Sequence, residues 1–259
     1  MAVERVTVGS SEWRSMGYSH VQRYLFARER ISGRVLDAAC GAGFGSYLLA
    51  ETCEQVTALD VSAEALAEVR THHQRTNIQL HLGGVESLPK GEVFNAVVSF
   101  ETIEHVPDPR AFLQEIHDRL LPGGRLILSA PNFAVHRGAP QPRENEFHLN
   151  EPVYDDLLRW LHGLFRVDET WEQAHQLAPY HHALAQGARD GARVSQLMIV
   201  RLAAALERGL RRMVGRTLPE PLDLLDRGEG MVADSFLLPL LPQRRAIAHT
   251  FLIAATKIA

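Results

Sequence analysis

Over its first half the chain alternates short apolar runs with stretches of helical spacing, a rhythm that predicts repeated β-α units. The apolar runs predict strands near 33–39, 56–60, 78–82, 95–100 and 124–130, and the intervening spacing predicts helices near 43–53, 62–73 and 108–121. Ser62 ahead of Glu64, and Asp108 ahead of Pro109, read as helix N-caps, with Pro109 at the first helical position. Pro122-Gly123-Gly124 stops the third of these helices and turns into the next strand. Alternation of this kind makes a parallel sheet covered by helices on both faces, with ligands bound at the C-terminal ends of the strands.

The pattern changes after Asn132. Residues 133–147 are polar, with prolines and arginines, and read as a loop. Residues 151–161 have amphipathic helical spacing, Phe165 to Trp171 reads as a sixth strand, and His249 to Thr256 as the last. The segment between those last two strands is far longer than a hairpin needs. Within it, Val194, Leu197, Met198, Leu202, Ala205, Leu206, Leu210, Met213 and Val214 form one helical stripe, with Arg201, Arg208, Arg211, Arg212 and Arg216 mostly off it. A helix packed on the body with a solvated basic face explains that stripe. A lid over the substrate, a homodimer contact and a surface drawn to anions are the functional readings. The expected division is a core of 1–175 plus 248–259, with 176–247 a helix-rich insertion.

Composition narrows the classes. The chain has 259 residues, 46% of them hydrophobic, enough for a full core. A net charge of −4 argues against a whole surface that grips nucleic acid, and no nucleic-acid partner is expected. Two cysteines, Cys40 and Cys53, do not make a disulfide framework. No apolar run approaches membrane-spanning length, and Glu4, Arg5, Glu12 and Arg14 stand where a signal peptide is apolar. A soluble, cytoplasmic protein is the expectation.

The chemistry concentrates after the first strand. Gly41, Gly43 and Gly45 alternate with Ala42 and Phe44, following Asp37 and Cys40, and Ser46 opens a helix. Glycines at a strand-to-helix turn let backbone N–H groups approach a ligand closely. Asp60 ends the second strand, nineteen residues after Gly41, which suits a carboxylate on a ribose. The dinucleotide fingerprint wants Gly or Ala where Ser46 stands, and Asp37 would repel a pyrophosphate. A carboxylate there suits the ammonium of an amino-acid moiety instead.

In order along the chain, several blocks resemble the class I S-adenosylmethionine-dependent methyltransferases. Asp37 to Gly45 looks like their first motif and Ala58 to Ser62 their second. Phe94 to Asp108, which includes Ser99, is similar to the fourth-strand motif, and Leu120 to Asn132 to the fifth. The resemblance covers about residues 18–175 and the last strand. It implies an α/β, Rossmann-like sheet of seven strands, the last one antiparallel between the fifth and sixth, with a helical insertion before it. It implies S-adenosylmethionine as cofactor: Asp37, Cys40, Gly41, Ala42 and Gly43 around the methionine part, Asp60 on the ribose, and Val61, Val85 and Glu86 around adenine, with Ser99 nearby. One departure stands out. Gly83-Gly84-Val85-Glu86 has glycine at 84 where the family's third-strand motif has the aspartate that meets adenine, so Glu86 or the backbone of Val85 would serve the ring. Residues 16–25 look like the segment that folds over the cofactor in bacterial relatives, which would bring Tyr18 and Arg23 to the methionine end.

Glu101-Thr102-Ile103-Glu104-His105 follows the fourth strand, where the sulfonium should lie. Two carboxylates and an imidazole at this spacing make an acid/base group, a set of metal ligands, or a structural turn. The segment also resembles the ExxEH motif of small-RNA 2′-O-methyltransferases, which implies a divalent metal (magnesium or similar) on Glu101, Glu104 and His105, with His148 as a later fourth ligand. His72-His73 close a helix, where a partial positive charge suits the dipole, and carry no role; His181-His182 read as an exposed pair. The expected activity is O-methylation of a small-molecule or sugar-containing acceptor by Glu101, Glu104, His105 and His148. N- or C-methylation on the same fold, or a non-catalytic binding module, are the rival readings.

Overall fold

The structure, a computed structural model, describes residues 11–134, 147–150, 152–175, 235–240 and 250–258. The strands are β1 (Arg34–Ala38), β2 (Gln55–Asp60), β3 (Ile78–Leu82), β4 (Phe94–Phe100), β5 (Leu120–Pro131), β6 (Phe165–His175), β7 (Ser235–Pro239) and β8 (Thr250–Lys257). The helices are α1 (Ser11–Arg28), α2 (Phe44–Leu49), α3 (Ala63–His72), α4 (Pro109–Arg119) and α5 (Tyr154–Leu161). One sheet runs β3-β2-β1-β4-β5-β8-β6-β7. Neighbours from β3 to β5 pair in parallel, and β8 lies antiparallel between β5 and β6. All seven expected strands are present, in the order the resemblance implied.

An eighth strand extends that sheet. Within the stretch expected to be rich in helix, Ser235–Pro239 is a strand and pairs with Trp171 to His175 of β6. β6 itself runs four residues past its expected end at Trp171. The extension includes two polar residues, Glu172 and Gln173, and both are fully buried. Gln173 is matched by partners inside: its side chain accepts from Arg23 Nε at 2.7 Å and donates to the Ser19 carbonyl at 2.8 Å. The helical stripe of 194–214, His181-His182 and residues 135–146 of the polar loop lie outside the described residues. Among the described residues no helix is long and apolar enough to cross a membrane.

Local chemistry fixes the helix starts as expected. Ser62 Oγ accepts from the Ala65 N–H at 3.2 Å to cap α3, and Asp108 Oδ1 accepts from the Ala111 N–H at 3.0 Å to cap α4. Apolar cores fill both faces of the sheet. On one face α1 and α2 meet so closely that the Tyr24 ring takes the side-chain space of Gly45: a Cβ at 45 would lie 1.9 Å from Tyr24 Cζ. Tyr24 is itself buried and donates to Asp37, so the ring has little room to retreat. Gly45→Ala is therefore expected to cost about 3 kcal/mol, since overpacking a tight contact typically costs about 1–3. A thermal melt should show a midpoint lowered by roughly 6–12 °C. An unchanged midpoint would contradict this packing.

Candidate functional site

The strand order reverses between β1 and β4, where the connections leave in opposite directions and open a crevice at the C-terminal strand ends. The loop after β1 lines it. Ala39, Gly41 and Gly43 have φ of 65°, 55° and 82°, a left-handed alternation that raises the backbone toward the crevice. Ala39 adopts without help from glycine a conformation that disfavours a Cβ, so strain is stored at the mouth of the site. Gly43 is required twice over, because a Cβ there would also lie 2.4 Å from Val69 Cγ2.

Asp60 stands opposite this loop at the tip of β2. Its Oδ2 accepts from the Gly41 N–H and its Oδ1 from the Ser62 N–H, both at 2.8 Å. Each oxygen keeps a second lone pair, as two vicinal hydroxyls require. Beside it, Val61 is 72% exposed and Leu82, which pairs with Asp60 across the strands, is 57% exposed. Two large exposed apolar side chains at adjoining strand ends offer a surface for a flat base. Leu82 escaped the sequence reading because it ends a strand in which alternation marks no outward role. The Val85 side chain is buried in the core, which leaves its backbone to serve a ligand. The Glu86 carboxylate folds back over Gly84, where a Cβ would lie 2.3 Å from Oε2. It fills the space that a side chain at 84 would enter.

Asp37 lies beneath the loop, fully enclosed. Its Oδ1 accepts from the Tyr24 hydroxyl at 3.1 Å and its Oδ2 from the Ser46 hydroxyl at 2.6 Å. Burial pushes its pKa up from 3.8 to about 7, although both hydrogen bonds pull it down. A group whose pKa is raised on folding adds most to stability below its unfolded value, and that contribution is lost as pH rises through the folded value. Asp37→Asn cannot ionise, so from about pH 4 to pH 8 the wild-type melting temperature should fall relative to the variant's. Parallel melting curves across that range would contradict the assignment. Cys40 is also buried, packed with Ala58, Leu66 and Val69, and burial pushes its thiol well up. Cys40, the buried Ala42 and the enclosed Ser99 give the site small size and backbone, not reactive side chains.

The ExxEH segment divides in two. Glu104, His105 and His148 each offer a ligand atom within 4.8 Å of one another, and Glu101 is not in that group. His148 reaches it because the segment 147–150 docks on the turn after β4: the Asn150 N–H donates to the Glu104 carbonyl at 2.9 Å, and Asn150 Nδ2 to the Val106 carbonyl at 2.5 Å. The His105 and His148 rings stand edge to face, 4.9 Å between centroids. His105 Nδ1 lies 2.9 Å from the Phe147 carbonyl, which can only accept, so Nδ1 carries a proton. In the neutral ring Nε2 is then the basic nitrogen, 3.9 Å from Glu104 Oε1.

Glu101 belongs elsewhere. Its carboxylate Oε1 accepts from the Ser129 hydroxyl at 2.7 Å and lies 3.5 Å from Arg23 Nη1. Arg23 is 2% exposed, so it stands behind Glu101 and not in the crevice where direct contact was expected. The Tyr18 side chain lies outside the described residues. Ser129, Gln173, Asn150 and the Phe147 carbonyl were not anticipated; each acts on a residue distant in sequence.

Comparison with known proteins identifies the family. The sequence profile described as a methyltransferase domain matches residues 36–128. A protein of Mycolicibacterium smegmatis described as a probable S-adenosylmethionine-dependent methyltransferase is 31% identical over 251 residues, 93% of each chain. A ubiquinone biosynthesis O-methyltransferase of Xanthomonas oryzae pv. oryzae is 39% identical over 114 residues, 42% of this chain and 48% of that one. A crystal structure of a candidate methyltransferase from Bacillus halodurans C-125 shares the fold with a TM-score of 0.57 at 18% identity, over 93% of this chain and 100% of that one.

Proposed function

The chain belongs to the class I S-adenosylmethionine-dependent methyltransferases, and on that premise we propose that it methylates a hydroxyl group of a small-molecule or sugar-containing acceptor. The observation that carries this reading is His105 Nε2, a basic nitrogen held at the crevice by the Phe147 carbonyl and flanked by Glu104 and His148. A hydroxyl must lose its proton as it attacks, whereas a neutral amine has no such need before attack. The partial match to an O-methyltransferase of ubiquinone biosynthesis supports the same class of acceptor.

The donor's sulfonium supplies both the methyl group and the leaving group, so the protein's work is alignment and one proton transfer. The loop of Ala39 to Gly43 and the carboxylate of Asp60 hold the nucleoside, with Val61, Leu82, Glu86 and the Val85 backbone about the base. The acceptor oxygen forms its bond to the methyl carbon as the carbon–sulfur bond breaks. His105 Nε2 takes the hydroxyl proton, and the buried Glu104 carboxylate steadies the imidazolium. His148 orients the acceptor from the other side.

A metal at this cluster is a second reading, favoured by the convergence of Glu104, His105 and His148. One carboxylate and two imidazoles suit manganese, iron, cobalt or zinc; magnesium prefers all-oxygen sets. The residues fit such an ion, which would lower the pKa of the acceptor hydroxyl. Chelation followed by readdition of single metals separates the two: restored turnover with Mn²⁺ or Zn²⁺ favours the ion, and unaltered turnover in chelator favours His105 as base.

The test of the function is a panel of phenolic, catecholic and sugar acceptors incubated with S-adenosylmethionine, with products assigned by mass spectrometry and NMR. An O-methyl product is expected. A product methylated at nitrogen or carbon would overturn the hydroxyl assignment.

A further inference from the structure

Glu101 is held in an unusual way that neither the proton transfer nor a metal explains. It opens the turn after β4 with φ 50°, a left-handed conformation that costs a non-glycine residue roughly 1–3 kcal/mol. Ser129 on neighbouring β5 clamps it there from both ends. The Glu101 N–H donates to the Ser129 carbonyl at 3.3 Å and to Oγ at 3.2 Å, while that hydroxyl donates to Glu101 Oε1 at 2.7 Å. Arg23 supports Oε1 from behind, and Arg23 is itself fixed by Gln173. Both contacts to the carboxylate fall on one oxygen, Oε1. No hydrogen bond or ion pair to Glu101 Oε2 occurs among the described residues, and the side chain is 23% exposed at the point where β1 and β4 diverge.

We infer that Glu101 Oε2 receives the ammonium of the donor's methionine portion, and that Ser129 is the residue that positions it. The inference rests on the donor assigned above and deepens it by naming what holds its amino-acid end. Asp37, the residue first expected in this role, has each oxygen engaged by a hydroxyl and lies enclosed below the loop. Glu101 is the carboxylate at this end of the crevice that is both anchored and accessible. It is also outside the Glu104, His105 and His148 group, so its charge remains available to a cation on the donor. A charge-assisted hydrogen bond from a fixed carboxylate is among the stronger single contacts a small ligand can make.

Two ligands separate this role from general support of the site: S-adenosylhomocysteine, which carries the amino-acid end, and 5′-methylthioadenosine, which lacks it. By calorimetry, Glu101→Gln should weaken S-adenosylhomocysteine on the order of 10–100-fold, as expected for loss of a charged hydrogen bond. Ser129→Ala should weaken it by a smaller factor, and both variants should bind 5′-methylthioadenosine as the wild type does. Equal losses for both ligands, or no loss for either, would overturn the inference. If Glu101→Gln does not fold, the same comparison on Ser129→Ala decides. Wild-type protein that bound neither ligand would overturn the donor assignment itself.

Discussion

Replacing His105 with alanine is expected to lower kcat by about 10²–10⁴-fold at saturating acceptor, the usual worth of a positioned general base. The loss should fall on kcat with little change in the affinity for S-adenosylhomocysteine, because His105 touches the acceptor's proton and not the donor. Fold should survive, since His105 is only half-buried on a short turn. His148→Ala is expected to reduce turnover less if it only orients the acceptor, and as much as His105→Ala if both bind an ion. Steady-state kinetics on the identified acceptor checks both. Full turnover in the two variants would remove the cluster from the chemistry.

Asp60→Asn is expected to weaken donor binding on the order of 100-fold, the second large effect. Both carboxylate oxygens accept from backbone N–H groups, of Gly41 and of Ser62. An amide would turn one NH₂ against a donor and leave a buried N–H unmatched, which costs about 1–3 kcal/mol before any ligand is counted. The ribose then loses one of its two acceptors, and the glycine loop loses its tie to β2. Affinity within threefold of wild type, measured for S-adenosylhomocysteine on protein with native circular dichroism, would show that Asp60 does not grip the sugar.

The sheet was legible because its central strands are buried on both sides and read as apolar runs, and because Ser62 and Asp108 mark helix starts with side chains that cap them. Asp60 was legible by spacing alone. What escaped the sequence is carried by buried polar residues. Ser19 and Arg23 interrupt the apolar face of α1, and Glu172 and Gln173 interrupt β6, so neither element shows its true extent. Gln173 is buried because Arg23 and the Ser19 carbonyl, some 150 residues away, meet it, and no local pattern records those partners. For the same reason the segment Glu101 to His105 read as one constellation. A left-handed residue at its head turns Glu101 toward β5 and α1, while Glu104 and His105 face His148. Spacing gave the residues; the backbone dihedral at 101 divided their duties.

The central claim is that the crevice where β1 and β4 part takes an S-adenosyl nucleoside. Isothermal titration of the folded protein with S-adenosylhomocysteine tests it most directly, without knowledge of the acceptor. One equivalent should bind with micromolar or tighter affinity, and NAD should give no heat at the same concentrations. No heat from S-adenosylhomocysteine at millimolar concentration, from protein shown to be folded, would contradict the account.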